Sequence, residues 1–413
     1  MGRMAMQVIF LKKVNMLLGA ACVSILTLSL VLYPEEGVQA AKAGLKIFWD
    51  VVFPSLLPFF VLSEILLGMG VVHFIGVLLE PLMRPLFNVP GVGAFALSMG
   101  LAAGYPMDAV LTGKFRRSKM CTRIEGERLL SFTNTADPLF IFGAVAVGMF
   151  GRPDLGMVLA AAHYISSFTV GLIFKYYGHD KERQASELRE SYQGNIIRRA
   201  LRALIKARKE DGRTFGRLMG DSVKESVSTL LMIGGFIMLF SVLVKMLETF
   251  GLLGLITPPL GALLQLFGLD PDLAASLFNG ILEIDLGTMS AGRAAAPLAD
   301  RLIIASWIIA WSGLCVHGQV ASVIHDTDIR MGPYVIARML HGIFAAWYTW
   351  LLLGPQAAVS GTIVRSLPVS QGFHPLDRVV LSGKQMVAVL GILVAISLLI
   401  HGFKRYRIMN IKK

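Results

Sequence analysis

Apolar runs close to the roughly 20 residues that an α-helix needs to cross a bilayer recur along this chain. They include Leu17 to Leu32, Val51 to Val72, Leu230 to Leu247 and Met386 to Ile400. One soluble core cannot absorb so many. Hydrophobic residues make up 55% of the 413 and charged residues only 16%, with a mean hydropathy of +0.65. The fold class is therefore all-α integral membrane: a polytopic bundle of about eight spans. These fall near 14–33, 47–71, 129–150, 155–175, 224–248, 302–324, 333–354 and 385–403.

In a soluble protein the net charge of +12 would raise the question of nucleic acid. Here the basic residues lie between apolar segments, where the positive-inside rule accounts for them, and no nucleic acid partner is expected. Most of the Lys and Arg fall in 1–13, 114–128, 175–222 and 404–413. That bias places both termini in the cytoplasm. Lys12 and Lys13 precede the first apolar run, which is long for a cleaved signal and is read as a retained helix.

The stretch from Lys175 to Arg217 is the one long cytoplasmic connection, and Asn195 to Lys209 sets apolar residues at helical spacing among Arg and Lys. This is the pattern of a basic amphipathic helix on a lipid surface, whether as a topology anchor or as a docking site. The chain then divides into an N-terminal helix (1–41), a first repeat (42–176), the basic linker (177–222), a second repeat (223–355), and a closing loop, helix and basic tail (356–413).

The two halves repeat one order of features. Thr112-Gly113-Lys114 corresponds to Ala291-Gly292-Arg293, and the run from Ala136 to Ala146 corresponds to Trp311 to Ala321. Each half holds an odd number of full spans, so the second enters the membrane in the opposite sense, as an inverted repeat. Segments 93–113 and 273–292 are interrupted at Gly100 to Pro106 and at Asn279 to Asp285, and each is expected to form a re-entrant helical hairpin. The spans that follow are broken helices, interrupted at Phe132 to Pro138 and at Ser312-Gly313. Irregular backbone at membrane depth is tolerated only where protein or a water-filled cavity satisfies it, so the breaks point to one shared polar site.

Asp137-Pro138 has the order of an N-cap followed by Pro at the first helical position. Thr133, Asn134 and Thr135 precede it without that duty and are candidate solute ligands. Tyr105 and Pro106 start the returning arm of the first hairpin; Asp285, with Gly287 and Thr288, takes the matching place in the second. Half-helix starts present free amides and a positive dipole end, suited to an anion. Asn279 lies in the second break. Glu283 and Asp285 are ionisable groups in an apolar segment, available to a coupling cation, to a proton or to Arg293. Ser312, His317 and Gln319 complete the candidate set. No catalytic motif occurs in a convincing context, and Cys22, Cys121 and Cys315 have no metal-site spacing. The expectation is therefore a non-enzyme with no cofactor and no metal.

Phe53-Pro54-Ser55-Leu56-Leu57-Pro58-Phe59, Gly104-Tyr105-Pro106, Ser131 to Pro138 and Asn279-Gly280 resemble the sporulation integral membrane proteins of the YlbJ/SpoVV type, whose halves belong to the nucleoside-recognition or Gate group. The resemblance implies a protein of the outer forespore membrane, on the mother-cell side, moving dipicolinic acid toward the spore. Dipicolinate, an aromatic dianion, suits half-helix N-termini and the rings of Tyr105 or Phe132. A nucleoside or other small solute is the alternative cargo, and a structural protein of the spore envelope, acting as a possible homo-oligomer, is the alternative class.

Overall fold

The computed structural model describes residues 16–17, 19–21, 23–178, 195–353, 384, 387 and 390–401. Cys22, both termini, residues 179–194 of the linker and most of the loop before the last helix lie outside them. Every regular element among the described residues is helical. Among the described residues, four helices are long and apolar enough to cross a membrane, or up to six if each of two bent pairs counts as one span.

The elements begin with α1 (Pro34–Ile47), α2 (Phe53–Gly68) and α3 (Val71–Phe87). Part of α2 and the whole of α3 form a pair bent by 83°, so the chain turns at the end of the 47–71 span expected from sequence. The bend sits at Gly70, whose φ of 79° lies in the left-handed region that glycine adopts without steric cost. Next come α4 (Gly93–Ala103) and α5 (Met107–Arg117), which pack on each other across a break at 104–106. Then α6 (Arg123–Thr133) ends at an extended stretch, 134–137, before a π-helical segment Phe140–Met149 and the straight helix α7 (Leu155–Phe174). A capping box starts α6, with Thr122 accepting from the Glu125 amide and Glu125 accepting from the Thr122 amide.

After the linker come α8 (Ile196–Asp211), α9 (Phe215–Thr249) and α10 (Leu253–Leu266). At 35 residues, α9 extends well beyond the expected 224–248 span. The helices α11 (Ala274–Leu282) and α12 (Ile284–Arg293) pack on each other across Glu283 alone. Asn279, placed by sequence in that break, is still helical. A break at Ser312 separates α13 (Leu298–Trp311) from α14 (Gly313–Ile324), and the straight α15 (Met331–Leu353) follows.

The apolar interior lies in two large clusters joined by a third. In the first, Phe87, Phe95, Met99, Phe115 and Phe132 are buried beneath α2 and α9; in the second, Ile141, Leu159, Leu277, Ile304 and Ile308 pack together. The third joins Ala109 and Leu130 to Val316, Val320 and Tyr334, so the halves share a core beside the breaks. Outward faces carry exposed Ile165, Phe168, Leu239, Ile343 and Trp347, an apolar surface that a bilayer covers.

Candidate functional site

The backbone leaves its helix ladder at 134–137, freeing polar groups there and in the helical turn before, and each would cost several kcal/mol in an apolar interior without a partner. Neighbouring helices supply those partners. Ser167 Oγ donates to the Phe132 carbonyl at 2.5 Å and Tyr164 Oη to that of Ala136 at 3.0 Å. The Ala136 amide donates to His163 Nε2 at 3.0 Å, which fixes the His163 tautomer with its proton on Nδ1. From α15, the guanidinium of Arg338, fully buried, donates to the carbonyls of Ser131, at 2.6 Å, and of Asn134.

Asn134 is the hub of the site. Its amide nitrogen donates to Asp108 Oδ1 at 2.8 Å, and its amide oxygen accepts from Tyr334 Oη at 2.9 Å. Thr133 Oγ1 donates to the other Asp108 oxygen at 3.1 Å. All of these residues are buried. A chain of hydrogen bonds thus runs from α5 through the first broken helix to α15 in the other half. Asn134 has both ends of its amide engaged, so its evident duty is to hold the break together. Thr135 Oγ1 donates to the Thr133 carbonyl at 3.4 Å, while Tyr105 Oη crosses to the Ile309 carbonyl of α13 at 2.8 Å.

The second half builds its breaks differently. Glu283, buried and extended, accepts from the Leu286 amide at 2.8 Å and so caps α12; Asp285 lies in the first turn of that helix. No ion pair joins either carboxylate to Arg293 among the described residues. Ser312 and Gly313 both take left-handed φ, and Gly313 lies against the Glu283 backbone so closely that an added Cβ would sit 3.0 Å from Glu283 Cα. Trp311 Nε1 donates to the Ile281 carbonyl at 3.1 Å. In the first half, an added Cβ on Gly104 would likewise meet the Asp137 carboxylate. Within each half, the break between the two short helices therefore packs on the break in the helix that follows.

Within the second half, the His317 ring lies between Trp311 and Tyr334, at centroid distances of 4.3 and 5.0 Å, and Tyr334 in turn reaches Asn134 of the first. The four breaks are consequently joined by Asn134, Tyr334 and His317. Half-helix N-termini are less open to an anion than the sequence suggests, since Asp137 caps Phe140 at 3.0 Å, Glu283 caps α12 and Asp108 sits in the first turn of α5. The start of α14 is the exception. It has no side-chain cap and no acidic first turn. Beside it, His317 Nε2 is buried with no hydrogen-bond partner among the described residues, as is Asn279 Oδ1 on α11.

Gln319, one further turn along α14, donates to Cys315 Sγ at 3.5 Å, and Thr288 is spent on its own helix through the Ile284 carbonyl at 2.7 Å. Pro106, in cis linkage, precedes α5. Sequence reasoning missed Asp108, His163, Tyr334 and Arg338. Asp108 carried the same signal as Glu283, an ionisable group within an apolar segment. Arg338 reads in sequence as a residue near a helix end, and nothing local distinguishes it from a topology charge.

The fold and site define an all-helical integral membrane protein whose helices break in pairs around a shared polar network. Residues 49–178 match the Gate family, described as nucleoside recognition. Over 345 residues the chain is 46% identical to the sporulation integral membrane protein YlbJ of Bacillus subtilis (strain 168), an alignment covering 84% of each chain. The chain belongs to this family of sporulation integral membrane proteins. No solved structure matches it.

Proposed function

We propose that the protein is a transporter of a small organic anion, most specifically of dipicolinate across the outer forespore membrane, and that it performs no covalent chemistry. The observation that carries this reading is the meeting of four helix breaks, two from each half, at Asn134, Tyr334 and His317. Broken helices that meet across the interface of two repeats are how membrane proteins present backbone dipoles to a solute while keeping the surrounding lipid dry. The uncapped start of α14 and the unpartnered His317 Nε2 offer a positive dipole end and a hydrogen bond to a carboxylate. The family's sporulation name supports the cellular setting.

The same reading takes the two halves as inverted repeats with re-entrant hairpins, in a fold of eight spans with both termini cytoplasmic. The register that aligns Gly113 with Gly292 also aligns Gly104 with Glu283, the residues at which the two hairpins break. The register that aligns Ala136 with Trp311 aligns Asp137 with Ser312, in the two broken helices. Each half then runs through a hairpin, a broken helix and a straight helix in the same order.

Purified protein in liposomes, assayed for uptake of labelled dipicolinate, tests the function. Saturable uptake is expected, with His317→Ala raising KM. Deleting the gene in its spore-forming host should strand dipicolinate in the mother cell, and deletion spores with a normal dipicolinate content would refute the proposal. The nucleoside-recognition description of the matched family favours a second cargo. Nucleosides competing with dipicolinate as strongly as dipicolinate itself would move the assignment to them.

A further inference from the structure

A cleft of about 640 Å³ lies between α5, α9 and α14, apart from the network at the breaks. Its volume is in the range of small-molecule sites. One wall is a stripe of α9, with Asp221, Lys224, Glu225, Ser228, Thr229 and Met232 at helical spacing. Along the stripe, side chains pass from charged through hydroxyl to thioether. The facing wall is Val110, Lys114 and Arg117 of α5, and Val323 of α14 closes the cleft beside Met232. Charged residues therefore stand at one end and an apolar floor at the other, on the face that carries the basic loops.

Of the charges around this cleft, nearly all are matched. Arg117 pairs with Asp326 at 2.7 Å, and Asp221 pairs with Arg213 at 3.3 Å. Lys114 is held by Glu64 and, at 3.2 Å, by Glu225, whose side chain is 56% exposed. Lys224 is exposed and makes no ion pair or hydrogen bond among the described residues. One ammonium is thus free, and a second has an outer partner held only at the solvent-facing edge.

We propose that this cleft is a loading site for a small dicarboxylate, with Lys224 binding one carboxylate and Lys114 the other, the latter displacing Glu225 while Glu64 stays in place. The inference rests on the transport reading, because it gives the solute a first station on the basic side of the protein. An aromatic dicarboxylate fits the polarity gradient, its charges toward the two ammonium groups and its ring toward Val110, Met232 and Val323. A neutral nucleoside gains nothing from the lysine pair. Charge-assisted hydrogen bonds are about twice as strong as neutral ones, and one such contact at a partly exposed site is worth about tenfold in affinity.

The test is equilibrium binding of pyridine-2,6-dicarboxylate to the full-length protein in phosphatidylcholine nanodiscs, read alongside uptake into liposomes. Lys224→Glu should weaken binding about tenfold, Lys224→Arg should bind like the wild type, and the loss should shrink in high salt as exposed charges are screened. Glu225→Gln, which removes the outer of the two carboxylates on Lys114, should tighten binding. Lys224 is exposed, so its replacement leaves the fold intact. Equal affinity in wild type and Lys224→Glu, or no binding to the wild type, overturns the loading site. If binding behaves as described but no uptake occurs, the loading site stands and the transport reading falls.

Discussion

Removing the Tyr334 hydroxyl isolates one of the contacts that tie the two halves together. Tyr334 is fully buried, and its hydroxyl donates to Asn134 Oδ1 at 2.9 Å. In Tyr334→Phe the ring keeps its place against His317, but the amide oxygen loses its donor. The Asn134 amide cannot turn to compensate, because its nitrogen is committed to Asp108 at 2.8 Å. Leaving a buried acceptor unpaired costs about 1–3 kcal/mol, while interhelical hydrogen bonds within membranes average about 0.6 and reach about 1.7 kcal/mol. A pinned, dry acceptor belongs near the upper end of the membrane range, so the expected loss is about 1–2 kcal/mol. Unfolding of the detergent-solubilised protein, measured for wild type, Tyr334→Phe, Asn134→Ala and the double variant, gives the coupling directly. In the Asn134→Ala background the tyrosine substitution should cost less than half as much. A Tyr334→Phe protein as stable as wild type, or one that loses the same stability in both backgrounds, would refute the assignment of Asn134 as the hub.

Arg338→Met leaves the carbonyls of Ser131 and Asn134 without donors and should cost about 2–6 kcal/mol, seen as low protein abundance that Arg338→Lys does not restore. Gly313→Ala places a Cβ on a backbone with φ of 73° and against Glu283; a loss of about 1–2 kcal/mol is expected, whereas Gly235→Ala in α9, with open space around it, should be neutral or stabilising by about 0.5–1 kcal/mol. On the basic face, Glu127 is held below its ordinary 4.5: burial pushes it up, and hydrogen bonds from Arg330 and Tyr177 outweigh that push. A depressed carboxyl pKa stabilises the fold above the unfolded value and loses that contribution as pH falls below 4.5 and through the folded value. The difference in melting temperature between wild type and Glu127→Gln should therefore shrink on acidification through that window. Replacing the exposed Arg198, Arg202 and Lys206 of α8 by Gln removes about 1 kcal/mol of attraction to anionic lipid per residue. Retention of phosphatidylglycerol by the purified protein should drop while uptake is unchanged, and lost uptake would instead make the linker part of the transport machinery.

Apolar runs decided the class of this protein before any folding, because backbone in hydrocarbon must satisfy its hydrogen bonds within a helix. Local backbone chemistry also marked the breaks. Gly104-Tyr105-Pro106, Asn134 to Asp137 and Ser312-Gly313 interrupt their helices where the sequence predicts, since glycine, proline and short polar side chains act within a few residues of themselves. Asp137 caps the helix after it for the same reason. What the chain could not announce is which distant groups answer a broken backbone. Arg338 and Tyr334 meet Asn134 from some 200 positions away, and His163 accepts the Ala136 amide from a helix whose own sequence reads as an ordinary span. Glu283 became the cap of α12 because the chain turns extended at that one residue, where Gly313 lies against it. Breaks are encoded locally, but their partners are chosen by packing, and only the tertiary structure decided that the four breaks of two halves meet in one polar network.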